Sequence, residues 1–236
     1  MSARLGPAGL PVEAAAPLRW RPDDLHLTLA GLVLVLLWDL SGLDRAALHL
    51  VGDVHGFPWR DHVLTRRLLH DGGRWLAWGV VAMLVVNLRW PLWSGPTAGD
   101  RRRWLAVTLL CVLAVPALKQ FSRTSCPWDL AEFGGVAATV SHWAVGVADG
   151  GPGRCFPSGH ATAAFAFVGG WFVLRDHRPR LARAWLLAVG VAGVLFGGAQ
   201  YLRGAHPPSH TLWTAWLCWA LSAALLGRWR RQSFGT

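Results

Sequence analysis

Residues 104–121, WLAVTLLCVLAVPALKQF, hold a single charge, and that charge, Lys119, is the only lysine of the chain. A run of this length approaches the ~20 apolar residues that carry a helix across a bilayer. Stretches 26–42, 74–88, 158–174, 182–201 and 209–227 have the same character. With 53% hydrophobic residues, 16 tryptophans and a mean hydropathy of +0.33, the composition belongs to a polytopic membrane protein and not to a soluble domain. The fold class expected is all-α, with six transmembrane helices within 25–228 and short cytoplasmic tails at 1–24 and 229–236. The first 24 residues carry Pro, Glu and Asp and no apolar core, so the expectation is an uncleaved first span and no signal peptide.

Basic residues set the orientation, because short loops rich in arginine stay in the cytoplasm. With the N-terminus inside, Arg4, Arg19, Arg21, Arg89, Arg101, Arg102, Arg103, Arg175, Arg178, Arg180, Arg183, Arg228, Arg230 and Arg231 share that face, fourteen of 23 basic residues. The predicted location is the cytoplasmic (inner) membrane, with residues 122–157 facing the periplasm or cell exterior. The net charge of +10 is therefore a topology signal, and arginines divided among four segments interleaved with spans exclude a nucleic-acid partner. Trp20, Trp90, Trp93, Trp104, Trp128, Trp185 and Trp229 fall near predicted span ends, as an aromatic belt would place them. Residues 44–74 are too charged to span. They are read as an amphipathic helical segment on the outer surface, with an ordinary loop as the alternative.

Three polar clusters interrupt the spans, and the topology brings all three to the outer face. Lys119 ends the third span, Pro157-Ser158-Gly159-His160 opens the fourth, and Arg203 to His210 joins the fifth to the sixth. Taken singly these are ordinary features, since a lysine at a span end snorkels to the headgroups and a histidine there is solvated. Their convergence is what an active site requires. Ser158 reads as a helix N-cap that turns the N–H groups of Gly159 and His160 toward an anion. His160 has the chemistry of a general acid. His206, restrained by Pro207 and Pro208, suits a nucleophile, and His210 one turn later can fix its tautomer.

These residues resemble the type 2 phosphatidic acid phosphatase superfamily of integral-membrane lipid phosphatases. Its signature is Lys, six residues, Arg-Pro; then Pro-Ser-Gly-His; then Ser-Arg, five residues, His, three residues, Asp. Here Lys119 is followed after six residues by Cys126-Pro127, the middle motif is intact at 157–160, and Ala199-Gln200 precedes His206 and His210 at the family spacing. The resemblance implies a metal-independent, acid-phosphatase-like lipid phosphate phosphohydrolase without cofactor. In it His206 attacks phosphorus, His160 protonates the leaving group, and Lys119, Ser158 and Gly159 bind phosphoryl oxygens. Cys126 and Gln200 stand where the family has arginines, so Arg203, Arg123 and Arg154 are the candidate replacements. His210 stands in place of the family aspartate.

Cys126 and Cys155 flank one outer loop, which in an oxidising space suggests a disulfide. Zinc, with His142, His160 or His206 as further ligands, is the rival, but no ligand spacing of the usual kind supports it. The expected substrate is a lipid phosphate or polyprenyl pyrophosphate. The alternatives are a lipid-to-lipid phosphotransferase and a non-catalytic lipid-binding or transport protein. Oligomeric state is not legible.

Overall fold

The computed structural model describes residues 19–229, so most of both predicted tails, including Arg4, Arg230 and Arg231, lies outside the described residues. Pro22 begins α1, Pro22–Leu40, at a position whose N–H has no helical partner in any case, and Asp23 and Asp24 occupy its first turn. α2, Leu43–Leu48, follows, and a loop leads to a π-helical segment, Leu64–Asp71, that runs into α3, Gly72–Arg89. α4, Ala98–Lys119, opens on a capping box in which Asp100 N donates to Thr97 Oγ1 at 3.2 Å and Thr97 N donates to the Asp100 carboxylate at 3.0 Å. After a long loop come α5, Thr162–Phe165, a 3-10 turn, Ala166–Val168, and α6, Gly169–Leu174. α7, Pro179–Leu202, and α8, Pro208–Leu226, complete the bundle.

α8 is the central helix and packs against α1, α4, α5, α6 and α7. Its first turn is capped from a distance, because Ser209 N donates to Asp44 Oδ1 at 3.0 Å and Trp38 Nε1 holds the same oxygen at 2.8 Å. At the opposite end of the bundle β1, Arg19–Trp20, pairs antiparallel with β2, Arg228–Trp229, so the two ends of the described chain meet. Beside that pair Arg175 makes a two-pronged contact with Asp24, 2.6 Å for each bond, Arg21 meets Asp176 at 2.6 Å, and Arg178 donates to Ser94 Oγ. The arginine-bearing segments expected in the cytoplasm thus gather at one end, and Lys119, the 120–161 loop and the 203–207 turn form the other.

The outer surface of the bundle is apolar, with Leu34 67%, Leu113 68% and Val194 72% exposed. Among the described helices α7 is the one long and apolar enough by itself to cross a membrane. α1 carries Asp23, Asp24 and Asp39, and α4 carries Asp100, Arg101, Arg102, Arg103 and Lys119, charges that sit toward the helix ends. The expectation of a continuous fourth span at 158–174 is corrected: helix begins only at Thr162, and Thr162–Leu174 is short for a bilayer. Its Gly169-Gly170 step packs on Leu226 and Trp104, and a Cβ at Gly170 would overlap the rings of both Trp104 and Trp185. Trp104 is corrected too. It is fully buried at the centre of a cluster with Trp93, 5.5 Å, and Trp185, 5.2 Å, so it is a core residue and not part of an interfacial belt. The 44–74 segment is helical at both ends and irregular between them.

That segment is pinned over the 203–207 turn by Phe57, whose ring fills the notch left by Gly52 and Gly204 and packs on Phe133 at 4.9 Å. Gly204 also has φ +69°, a left-handed conformation that ends α7. Gly204→Ala should therefore cost the ~1–2 kcal/mol of left-handed strain and a further ~1–3 kcal/mol of overpacking against the ring. Gly42→Ala, with φ +75° and open space around it, should cost the strain alone. Thermal unfolding in detergent measures both, and equal shifts in Tm would rule out the Phe57 notch.

Candidate active site

Three backbone connections bring the polar clusters together. Arg154 N donates to Ser122 O at 2.8 Å and Cys155 N to Thr124 O at 3.0 Å, which lays the chain before Pro157 along the chain after Lys119. Ser158 N donates to His210 O at 3.2 Å, and Thr214 Oγ1 lies 2.9 Å from both Ser158 O and His210 O, which ties the middle cluster to α8. Trp128 N donates to Gly204 O at 2.9 Å and joins the outer loop to the 203–207 turn. The disulfide expected between Cys126 and Cys155 is formed in this structure. The loop it closes is held from within by Asp149, which accepts from Ser125 N, from Ser125 Oγ at 2.9 Å and from Gly151 N at 3.0 Å.

His206 is buried in the turn before α8, and its Nδ1 faces His210 Nδ1 at 3.3 Å and Cys155 Sγ at 3.4 Å. A sulfur in a disulfide has no proton to donate. His206 Nδ1 therefore meets two acceptors when it carries the proton and lacks a donor on the sulfur side when it does not. The favoured tautomer has the proton on His206 Nδ1, donated to His210 Nδ1, and a lone pair on His206 Nε2. Burial first, then His210, Lys119 and His160 nearby, push the His206 pKa well below the usual histidine range, so the ring is neutral at pH 7.

Gly159 lies beside the Lys119 stem, 3.9 Å from a Cβ position on Gly159 to Lys119 Cδ, and no carboxylate pairs with this ammonium among the described residues. Ser158 is completely buried, but it is not the N-cap expected: the helix starts at Thr162 after Ala161, without a side-chain cap. Ser158 Oγ instead has no hydrogen-bond partner among the described residues, and neither has Thr162 Oγ1. Buried hydroxyls without partners call for a ligand or water to complete them. His160 precedes the helix, donates through Nε2 to Leu69 O at 3.3 Å, and stacks on His70 with ring centroids 4.3 Å apart.

The three candidate arginines fare differently. Arg203 is buried in the turn, but its Nε donates to Arg60 O at 2.8 Å, its Nη1 reaches Gln200 Oε1 at 3.5 Å, and its guanidinium lies over Trp128 at 5.8 Å. Arg123 and Arg154 are exposed, and α4 ends at Lys119, so Arg123 does not continue that helix. Of the proposed zinc ligands, His142 is instead bound to Asp39 at 3.1 Å and His160 to Leu69 O. Ligand atoms of Cys126, Cys155 and His206 do lie within 4.8 Å of one another. Sequence reading missed Thr162, His70, Asp44 and Asp39, whose carboxylate gathers His142, Trp143 at 2.9 Å and Trp213 at 3.0 Å. Periodicity gives no signal for such partners, because each contact joins segments far apart in the chain.

A buried histidine pair thus lies beside a lysine, in a fold that also buries two hydroxyls without partners among the described residues. Residues 102–233, more than half of the chain, match the PAP2 superfamily, and the chain belongs to that superfamily. No curated protein and no solved structure matches it. Membership brings a phosphatase-type activity on phosphate esters.

Asp149 supplies a pH test of the frame around this site. Burial alone would raise its pKa, but hydrogen bonds from Ser125 N, Gly151 N and Ser125 Oγ outweigh burial and hold the carboxyl below its usual range. A depressed carboxyl pKa stabilises the fold above the unfolded value, ~3.9, and that contribution disappears as pH falls through the folded value. Asp149→Asn should lower stability by ~1–3 kcal/mol at pH 7, and the gap to the parent protein should narrow as pH falls below ~3.9. Unfolding followed from pH 7 to pH 3 measures this, and a constant gap across the range would contradict it.

Proposed function

We propose that this protein is a multi-pass phosphatase of the cytoplasmic membrane that hydrolyses a phosphomonoester or pyrophosphate of a lipid at the outer leaflet. The membrane domain is residues 25–228, with both tails cytoplasmic. The observation that carries the proposal is His206, a buried neutral histidine whose Nδ1 is engaged and whose Nε2 keeps its lone pair, in a turn joined to the chain that holds Ser158, Gly159 and Lys119. The apolar exterior and the gathering of arginines at the end opposite the site support the membrane setting.

In the reaction the phosphoryl oxygens sit among the Lys119 ammonium, the Ser158 and Thr162 hydroxyls and the backbone of Gly159, where preorganised donors neutralise the charge that builds up in transfer. His206 Nε2 attacks phosphorus as the bond to the leaving oxygen breaks, and His160 gives that oxygen a proton. Burial first, then the neighbouring His70, lower the His160 pKa to about 4, so the resting ring is neutral; with Nε2 donating to Leu69 O, the proton it passes to the leaving oxygen is taken up at Nδ1 from the incoming phosphate ester. Water activated by His160 then releases phosphate from His206. No step requires a metal.

The test separates the histidines. His206→Ala should abolish both turnover and phosphoenzyme. His160→Ala should still form phosphoenzyme, with its burst of phenol release, from an aryl phosphate, whose leaving group needs little protonation, while failing to react with lipid substrates. His210→Ala should lose less than either. Acid-labile phosphohistidine and aryl phosphate release measure all three, and phosphoenzyme that persists in His206→Ala would move the nucleophile elsewhere.

A further inference from the structure

Three atoms behind His206 lie close enough together to hold a metal ion once the disulfide is open, and His210 adjoins one of them. Tetrahedral zinc with Zn–N of about 2.05 Å and Zn–S of about 2.3 Å places its ligand atoms about 3.3 Å apart for two nitrogens and about 3.6 Å apart for nitrogen and sulfur. In this structure His206 Nδ1 is 3.3 Å from His210 Nδ1 and 3.4 Å from Cys155 Sγ. Ligand atoms of Cys126, Cys155 and His206 fall within 4.8 Å of one another. The sulfurs alone sit closer together than a metal requires, because a bond joins them.

We propose that reduction of the Cys126–Cys155 disulfide turns this cluster into a site for a thiophilic divalent cation, zinc in the first place, held by Cys126, Cys155 and His206 with His210 Nδ1 as the fourth ligand. A dithiol supplies the two electrons and two protons: the protein S–S bond becomes two thiols as the reductant closes to its own disulfide. Zinc then binds the two thiolates with loss of two protons and takes the Nδ1 lone pairs of both histidines. Coordination at His206 Nδ1 forces the ring proton onto Nε2. Resting on the phosphatase reading above, this means that the metal silences the nucleophile by reversing its tautomer, so one sulfur pair decides whether the His206 Nε2 lone pair is available. The buried thiols Cys111 and Cys218 lie elsewhere, within the helical core, and contribute no histidine.

Cobalt titration tests the site without any substrate, so its outcome is independent of whether the chain hydrolyses phosphate. Protein in detergent is reduced with a dithiol, desalted without air, and titrated with Co²⁺. One equivalent should produce the visible absorption of tetrahedral thiolate-bound cobalt, and one equivalent of Zn²⁺ should erase it. Oxidised protein and the reduced Cys126→Ser variant should show no such band. Absence of the band from reduced protein, or equal bands from the oxidised protein or from Cys126→Ser, would overturn the site. A second arm compares reduced protein with and without one equivalent of Zn²⁺: aryl phosphate turnover should fall at least ~10-fold, and undiminished turnover with the metal bound would overturn the tautomer switch.

Discussion

Two imidazole nitrogens 3.3 Å apart in a buried turn cannot both be donors and cannot both be acceptors, and this constraint on His206 and His210 organises the site. The disulfide sulfur beside them breaks the tie, because it can only accept. The proton is therefore kept on His206 Nδ1 and the lone pair on Nε2. In the family signature a carboxylate stands where His210 stands, and it would fix the same tautomer by charge. Here a neutral ring and a sulfur stand in its place, with the Cys155 backbone close to both rings, which leaves less electrostatic support for positive charge on the ring proposed to attack.

Holding two rings in this relation places demands on the rest of the fold. His210 is in the first turn of α8, so the start of that helix must not fray, and Asp44 reaches over from just past α1 to take the Ser209 N–H. His206 is in the turn before it, fixed by Phe57 against Gly204 on one side and by Trp128 N on Gly204 O on the other. Asp39 draws Trp213 of α8 and the His142-Trp143 step of the outer loop onto α1. Two acidic residues of the first helical hairpin thus anchor the element that carries the histidines. The cost of burying Asp39 is offset by three ring N–H donors.

Much of the site was legible because it depends on local spacing. Lys119, Pro157 to His160, and the His206-His210 interval stand out in the chain, as do the paired cysteines and the asymmetry of the arginines. Roles that depend on direction were not legible. Ser158 precedes an apolar run, which suggested a cap, but the chain unwinds until Thr162 and buries the hydroxyl instead. Arg203 is one turn from Gln200 as the spacing required, yet its guanidinium is turned to the Arg60 carbonyl and Trp128 by a segment whose fold the sequence left open. Trp104 sits at a predicted span end, but the glycine pair at 169–170 lets the backbone approach and draws the ring inside. In each case the deciding partner is more than forty residues away, beyond the reach of periodicity.

The proposed mechanism depends most on which nitrogen of His206 attacks. Trapped phosphoenzyme, made from ¹⁵N-histidine-labelled protein and a ³¹P-visible substrate, can be examined by nitrogen–phosphorus correlation NMR. The structure predicts a single phosphoramidate at His206 Nε2, with Nδ1 still protonated toward His210. A phosphoryl group on Nδ1, or on His210, would contradict the hydrogen-bond logic on which the mechanism rests.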